Sequence, residues 1–172
     1  MIKILLKNSV FILSLLFVLS CVNKKDNNIP QELGELELFK IVRGDEADDF
    51  VNKMHGKKLG VKKNLIAYYG SKNSRNVLYI SVYEKVEEAK ADLQNMAIKM
   101  AQGTAVFTPL KFDKMENGVR FHTEGMGLIH YFYRVDNILI WWQVEPDKAD
   151  STISDLFNFK FSSFAPFNLP KR

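Results

Sequence analysis

The chain has 172 residues, with 24 lysines and arginines against 20 aspartates and glutamates and a net charge of +4. This small excess does not indicate nucleic-acid binding, which requires basic residues clustered on one face, so we expect no nucleic-acid partner. The single cysteine, Cys21, excludes an internal disulfide bond.

The first twenty residues have the composition of a secretory leader. Lys3 and Lys7 make a basic start, and an apolar run follows over residues 10–19. That run is too short to cross a bilayer as a helix, which needs about 20 apolar residues. It predicts an export signal over residues 1–20 that is removed from the mature protein.

The end of this leader, Leu19-Ser20-Cys21, resembles the lipobox of bacterial lipoproteins. A lipobox ends in a small residue followed by a cysteine, which becomes the acylated N-terminus after cleavage. Ser20 and Cys21 match this pattern, and Leu19 stands where a smaller residue is commoner. The resemblance implies lipidation at Cys21, export, and a membrane of the bacterial cell envelope as a partner through the lipid. It covers residues 1–21 only and implies no activity.

The residues after the cysteine divide into a tether and one domain. Residues 21–35 are polar and include several asparagines and Pro30, which predicts a flexible tether behind the lipidated cysteine. As a coil of about 14 residues, this tether would reach roughly 20 Å. Residues 36–172 are long enough to bury a core and are predicted to form a single globular domain.

The domain is predicted to contain both strands and helices. Strands are indicated by β-branched and aromatic runs, helices by apolar residues three and four apart, and breaks by glycine, asparagine and proline. In chain order the predicted elements are a strand over Leu36–Val42, a helix that begins at Asp45 and stops at Gly56, strands over Asn64–Tyr69 and Asn76–Tyr83, a helix over Glu84–Gln102, a strand over Thr104–Lys114, three strands between Val119 and Glu145, and a helix opened by Pro146.

This order of elements predicts an α+β fold. We expect one mainly antiparallel sheet with the helices packed on one face. The more specific prediction is a ferredoxin-like core extended by a C-terminal β-meander.

Two turn signals predict how the strands of the meander pair. Asp136-Asn137 is typical of a two-residue hairpin turn, because both residues tolerate positive φ, and it places Tyr131 opposite Trp142. Gly125-Met126-Gly127 fits a three-residue loop and places Phe121 opposite Tyr131. Together the two registers place an apolar side chain at each of these paired positions on one face.

The same registers predict a second, mixed face on the meander. It places His122 opposite His130, and Phe132 opposite Trp141. Aromatic side chains provide the flat amphipathic surface that binding sites use, although a half-exposed sheet also carries such a mixture. The predicted ligand-binding residues on this face are Arg120, His122, His130, Phe132, Trp141 and Gln143.

A metal site is the alternative hypothesis for this face. Two imidazoles on adjacent strands, about 5 Å apart at the backbone, would share an ion with Glu124 as a third ligand. His122 and His130 would then serve a metal-dependent hydrolase or a redox protein. The sequence contains no nucleophile elbow, phosphate loop or dinucleotide-binding glycine pattern, so we expect no cofactor.

The favoured hypothesis is a membrane-anchored cell-envelope lipoprotein that acts as a non-catalytic binding module. Its ligand would be a partner protein, a cell-wall component or a small molecule. The sequence does not select among these three classes.

Overall fold

A computed structural model of the chain describes residues 28–56, 58–115 and 118–161. The predicted leader, Cys21 and the first residues of the predicted tether lie outside the described residues. Within the described part, no helix is both long enough and apolar enough to span a bilayer.

The described residues form eight strands and three helices, and most of them coincide with predicted elements. The strands are β1 (Glu32–Leu33), β2 (Leu36–Arg43), β3 (Lys63–Tyr69), β4 (Asn76–Val82), β5 (Lys111–Met115), β6 (Gly118–Gly125), β7 (Leu128–Val135) and β8 (Ile138–Val144). The helices are α1 (Asp45–His55), α2 (Val86–Met100) and α3 (Ala149–Asn158), the last preceded by a 3-10 turn over Pro146–Lys148.

The eight strands make one sheet in the order β1-β2-β3-β4-β8-β7-β6-β5, and all neighbours run antiparallel. The predicted α+β class with a mainly antiparallel sheet is confirmed. The ferredoxin-like core is wrong, because its split βαβ unit places a third strand between two parallel strands. Here β2 and β3, which α1 connects, are direct antiparallel neighbours, with Arg43 opposite Leu65. The chain after α1 therefore returns to the end of the sheet where β2 stops.

The helices lie on both faces of the sheet, and the prediction that they share one face is wrong. On the α1/α2 face, α1 packs over Ile66 and α2 packs over Phe132 and Leu139. On the opposite face, called the α3 face, Leu156 of α3 packs into a core that contains Trp142. The central strands are apolar on both sides, so each side needs a cover.

A buried hydrogen bond fastens α3 to its face of the sheet. The indole N–H of Trp142 donates to the hydroxyl of Thr152 at 3.1 Å, and both residues are fully buried. The helix buries Ala149, Thr152, Ile153 and Leu156. The hydroxyl satisfies an N–H that would otherwise be buried without a partner.

The fold begins earlier than the sequence analysis predicts. Ile29 and Leu33 are 1% and 0% exposed and belong to the core of the α3 face. The Tyr69 hydroxyl donates a buried hydrogen bond of 2.8 Å to the carbonyl of Pro30. The predicted tether over residues 21–35 is therefore wrong in its second half, because Ile29 and Leu33 are buried in the core.

Candidate functional site

The β6–β7 hairpin turns in two residues, not in the predicted three. Gly125 pairs with Leu128, and the turn residues Met126 and Gly127 both have positive φ, 53° and 73°. Two central residues with positive φ are typical of a type I′ turn, whose twist matches that of the strands. The sequence analysis missed this turn because methionine rarely adopts positive φ.

The aromatic ring of Phe107 packs against Gly125, the last residue of β6. Phe107 forms an isolated antiparallel bridge with Gly125. A Cβ at this glycine would contact the Phe107 ring and lie 2.6 Å from the Val106 carbonyl oxygen. The missing side chain of Gly125 therefore lets the segment before β5 lie against β6.

The one-residue change of register divides the six predicted site residues between the two faces. Phe121 pairs with Phe132, and His122 pairs with Tyr131. The predicted β7–β8 register is confirmed, with Tyr131 opposite Trp142. The α1/α2 face carries His130, Phe132, Trp141 and Gln143, and the α3 face carries Arg120, His122 and Glu124.

The predicted pairing of His122 with His130 is therefore wrong. Their strands are adjacent, but Thr123 lies opposite His130, and alternate residues of a strand point to opposite faces. Within the described residues, no group of three or more histidine, cysteine, aspartate and glutamate side chains is placed to hold a metal ion.

His130 is a buried histidine whose two ring nitrogens have partners inside the domain. The Trp141 indole N–H donates to Nδ1 at 3.2 Å, so Nε2 carries the proton and donates to the Gly125 carbonyl at 3.2 Å. Burial lowers the pKa of this imidazole, which keeps it neutral. His130 and Phe132 are each 0% exposed: Phe132 packs beneath α2, and the Phe107 ring lies edge-on to the His130 ring at 5.0 Å between centroids. The prediction that they belong to a recognition face is wrong, because α2 covers Phe132 and Phe107 covers His130.

Arg120 and His122 join a charged group at the outer edge of the α3 face. Arg120 donates to Asp113 through Nε and Nη2 at 3.0 and 2.6 Å, and it lies over the rings of Tyr131 and Phe157 at 5.5 and 4.8 Å from their centroids. The hydrogen bond from Arg120 holds the pKa of Asp113 below its usual range. Stacking and two hydrogen bonds to the Asp113 carboxylate hold the Arg120 side chain in place, which supports a structural role for this group at the edge of the sheet.

His122 is the half-buried member of that group. Its Nδ1 lies 3.5 Å from the Asp113 carboxylate. Burial lowers the His122 pKa, and the neighbouring carboxylate opposes this effect by raising it. The environment of His122 is therefore set by the β5–β6 pair and not by His130.

A cleft of about 630 Å³ opens where β6 turns into β7. Its walls come from the segment before β5, the β6–β7 turn and the 3-10 turn that follows β8. The lining residues are Thr104, Ala105, Val106, Phe107, Thr108, Glu124, Gly125, Gly127, Leu128, Ile129 and Pro146. Among these described lining residues, Glu124 has the one ionisable side chain.

Hydrogen bonds hold one wall of the cleft in place. The Thr104 hydroxyl accepts the N–H groups of Val106 and Phe107 at 3.2 and 3.1 Å. The Thr108 N–H donates to the Glu124 carbonyl at 2.8 Å, and the Thr123 hydroxyl donates to the Thr108 carbonyl at 2.7 Å. Residues 104–108 are thus a fixed loop and not the start of the predicted strand. The threonine hydroxyl capping a tight turn is the sequence signal that could have revealed it.

The cleft is an open groove whose volume lies in the range of ligand pockets. Ligand pockets usually measure about 300–1,000 Å³ and combine apolar walls with a few polar groups that orient the ligand. Here the apolar walls are supplied by side chains such as Phe107, Leu128 and Ile129, and the polar groups by Glu124 and two threonines. No nucleophile with a neighbouring base is present among the described lining residues.

Comparison with known proteins adds no family to this description. No protein-family model, no curated protein and no solved structure matches the chain. The candidate site is therefore defined by its geometry alone.

Proposed function

We propose that this protein is a lipoprotein of the bacterial cell envelope, anchored by a lipid at Cys21, whose domain binds a ligand without catalysing a reaction. The observation that carries the proposal is the cleft beside the β6–β7 turn, with its apolar walls and single carboxylate at Glu124. The Ser20-Cys21 lipobox resemblance supports export and anchoring.

The rigidity of the cleft wall favours ligand binding. The loop over residues 104–108 is fixed by hydrogen bonds within itself and to β6 before any ligand arrives. A preformed wall lowers the ordering cost of association. The volume of the cleft suits a small molecule or one segment of a larger ligand better than a flat protein surface.

The metal-dependent alternative has no support in the geometry. It requires His122 and His130 to face each other, and they lie on opposite faces of the sheet. Glu124 is the one ionisable group in the described lining, and it is engaged by Lys111 at 3.6 Å, so the lining offers no acid–base pair to a substrate.

Filling the cleft tests the binding role. Ala105 is exposed and lines the cleft, so Ala105→Trp places a large ring in it without disturbing the core. Native mass spectrometry of the full chain, extracted gently from its host, should detect a bound molecule that Ala105→Trp loses. The matched control is Ala101→Trp, at an exposed position outside the cleft lining. A bound molecule retained equally by both variants, or none in the unaltered protein, contradicts the role.

The lipid anchor has its own test. Intact-mass analysis of the protein from membranes should give a mature chain that starts at an acylated Cys21. Cys21→Ser should remain unprocessed or leave the membrane fraction. A mature protein that starts at Met1, or that has an unmodified thiol at Cys21, contradicts the anchor.

A further inference from the structure

The cleft and the first described residues lie at the same end of the sheet. Strand register fixes this placement, because Gly125 pairs with Leu128, Ile129 with Val144, and Tyr69 with Asn76. The Tyr69 hydroxyl holds Pro30 at that end. We call it the turn end, formed by residues 28–31, 69–76, 103–108, 125–128 and 144–147.

The length of chain between Cys21 and the core limits how far the turn end stands from a lipid on that cysteine. Ile29 is already buried, so residues 22–28 make the whole connection. The eight residue steps from Cys21 to Ile29 span at most about 29 Å when the chain is fully extended. The strands β4, β7 and β8 have seven or eight residues and are about 23–27 Å long. The connection is thus about as long as the sheet is tall, so under the proposed anchor the turn end, where the chain enters the core, lies nearest to the lipid.

Exposed apolar side chains occupy the tips of two loops at the turn end. Val106 and Met126 are 54% and 58% exposed, and they lie on the two loops that flank the cleft. Loop tips that carry exposed apolar side chains suit the boundary between headgroups and acyl chains. Neither side chain has a role in the core.

Basic groups accompany these apolar tips. Arg75 is exposed and donates from Nη1 to the Met126 carbonyl at 3.1 Å, and Lys72 is exposed on the same loop. The neighbouring carboxylates have partners of their own: Glu124 lies 3.6 Å from Lys111, Glu35 and Asp147 share Lys148, and Glu145 accepts a hydrogen bond from the Asn76 side chain. Arg75, which contacts Met126, and Lys72, on the same loop, are basic groups of the kind that bind anionic headgroups.

We propose that the turn end rests on the bilayer surface, with Val106 and Met126 in the headgroup layer and Arg75 and Lys72 against anionic headgroups. This inference rests on the proposed lipid anchor. The anchor supplies a high local concentration, so two apolar side chains and two cations suffice to orient the domain. The cleft then opens at the membrane surface.

Quenching by lipid tests the orientation in the full-length acylated protein. Val106→Cys and Met126→Cys each carry a fluorophore, and Val86→Cys is the matched control, because Val86 is exposed to 41% and begins α2 at the opposite end of the sheet. The acylated Cys21 has no free thiol to label. The protein is reconstituted in vesicles of phosphatidylcholine and phosphatidylglycerol with brominated acyl chains.

We expect quenching at positions 106 and 126 to exceed that at position 86 severalfold. Arg75→Glu should reduce this contrast in the anionic vesicles and leave it unchanged in pure phosphatidylcholine. Equal quenching at the three positions overturns the orientation. Mass analysis of the same sample separates the two proposals: acylated protein without the contrast overturns the orientation alone, and protein without a lipid on Cys21 overturns both.

Discussion

His130 is held as a neutral imidazole because one ring nitrogen accepts a hydrogen bond and the other donates one. Nδ1 accepts the Trp141 N–H, and Nε2 donates to the Gly125 carbonyl. A second proton would remove the acceptor and leave two N–H groups facing each other. This single side chain therefore links β8, β7 and the turn beside the cleft.

The His130 environment predicts a loss of stability on acidification. Burial holds the folded-state pKa of His130 below 6.5, so the unfolded chain binds the proton more readily. The free energy of unfolding should have its full value above about pH 6.5 and should fall as the pH drops below that value. Chemical denaturation across this range measures the slope, and NMR of the imidazole measures the pKa directly.

His130→Leu should reduce that slope and cost about 1–3 kcal/mol, because the Trp141 N–H and the Gly125 carbonyl lose their partner. The slope that remains comes partly from His122, whose pKa burial also lowers. His55→Gln, outside this hydrogen-bonded group, is the control. An unchanged slope in His130→Leu would show that His130 does not titrate below its usual range.

Gly125 predicts a second effect at the residue scale. A Cβ there would strike the Phe107 ring and the Val106 carbonyl, so Gly125→Ala should cost about 1–3 kcal/mol and displace the cleft wall. Gly60→Ala is the control, because nothing lies within 4 Å of the position that its Cβ would take. Urea denaturation midpoints compare the two variants, and equal midpoints would refute the close contact.

At the scale of elements, the β5–β6 pair affects the pKa of His122 through Asp113. The Asp113 carboxylate raises the His122 pKa against the larger, opposite effect of burial. Asp113→Asn removes the carboxylate, so the His122 pKa should fall further below 6.5. An NMR titration measures this shift, with Asp49→Asn on the exposed side of α1 as the control. A rise in the His122 pKa in Asp113→Asn would contradict the assigned register.

The two hairpins show which registers local sequence determines. Asp136 adopts a φ of 50°, which aspartate tolerates, so the β7–β8 register followed from the turn residues alone. Met126 adopts a φ of 53° in the other turn, where glycine would have been expected. Contact between Phe107 and Gly125 sets that register, and no local pattern records a contact of this sequence separation.

The error in one register explains the error in the candidate site. A slip of one residue moves each side chain of β6 to the other face, so His122 and Arg120 lie on the face opposite to His130 and not beside it as predicted. The fold class was predicted correctly because the periodicity that distinguishes helices from strands is a local property of the sequence. The cleft was not predictable, since its walls come from three separate segments that only the folded chain brings together.

At the scale of the whole molecule, the position of the first buried residue decides how the domain meets its surroundings. A tether through residue 35 would hold the domain away from a bilayer without orienting it. Ile29 and Leu33 are buried, so under the proposed anchor the connection would be shorter and the turn end would be the end nearest the bilayer. The same residues therefore bear on both stability and orientation.

This boundary predicts a stability effect in a segment that the sequence assigns to a tether. Ile29→Ala should cost about 2–4 kcal/mol, because it leaves a cavity in the core of the α3 face. That is a large share of the roughly 5–15 kcal/mol that stabilises a typical domain. Glu32→Ala, an exposed position three residues later, should change the free energy of unfolding by less than about 0.5 kcal/mol. Urea denaturation of the full chain measures both variants. Equal, small effects would show that residues 28–35 are not part of the stabilising core. The connection to the proposed anchor would then be long enough for either end of the sheet to approach the membrane, and the turn end would no longer be favoured.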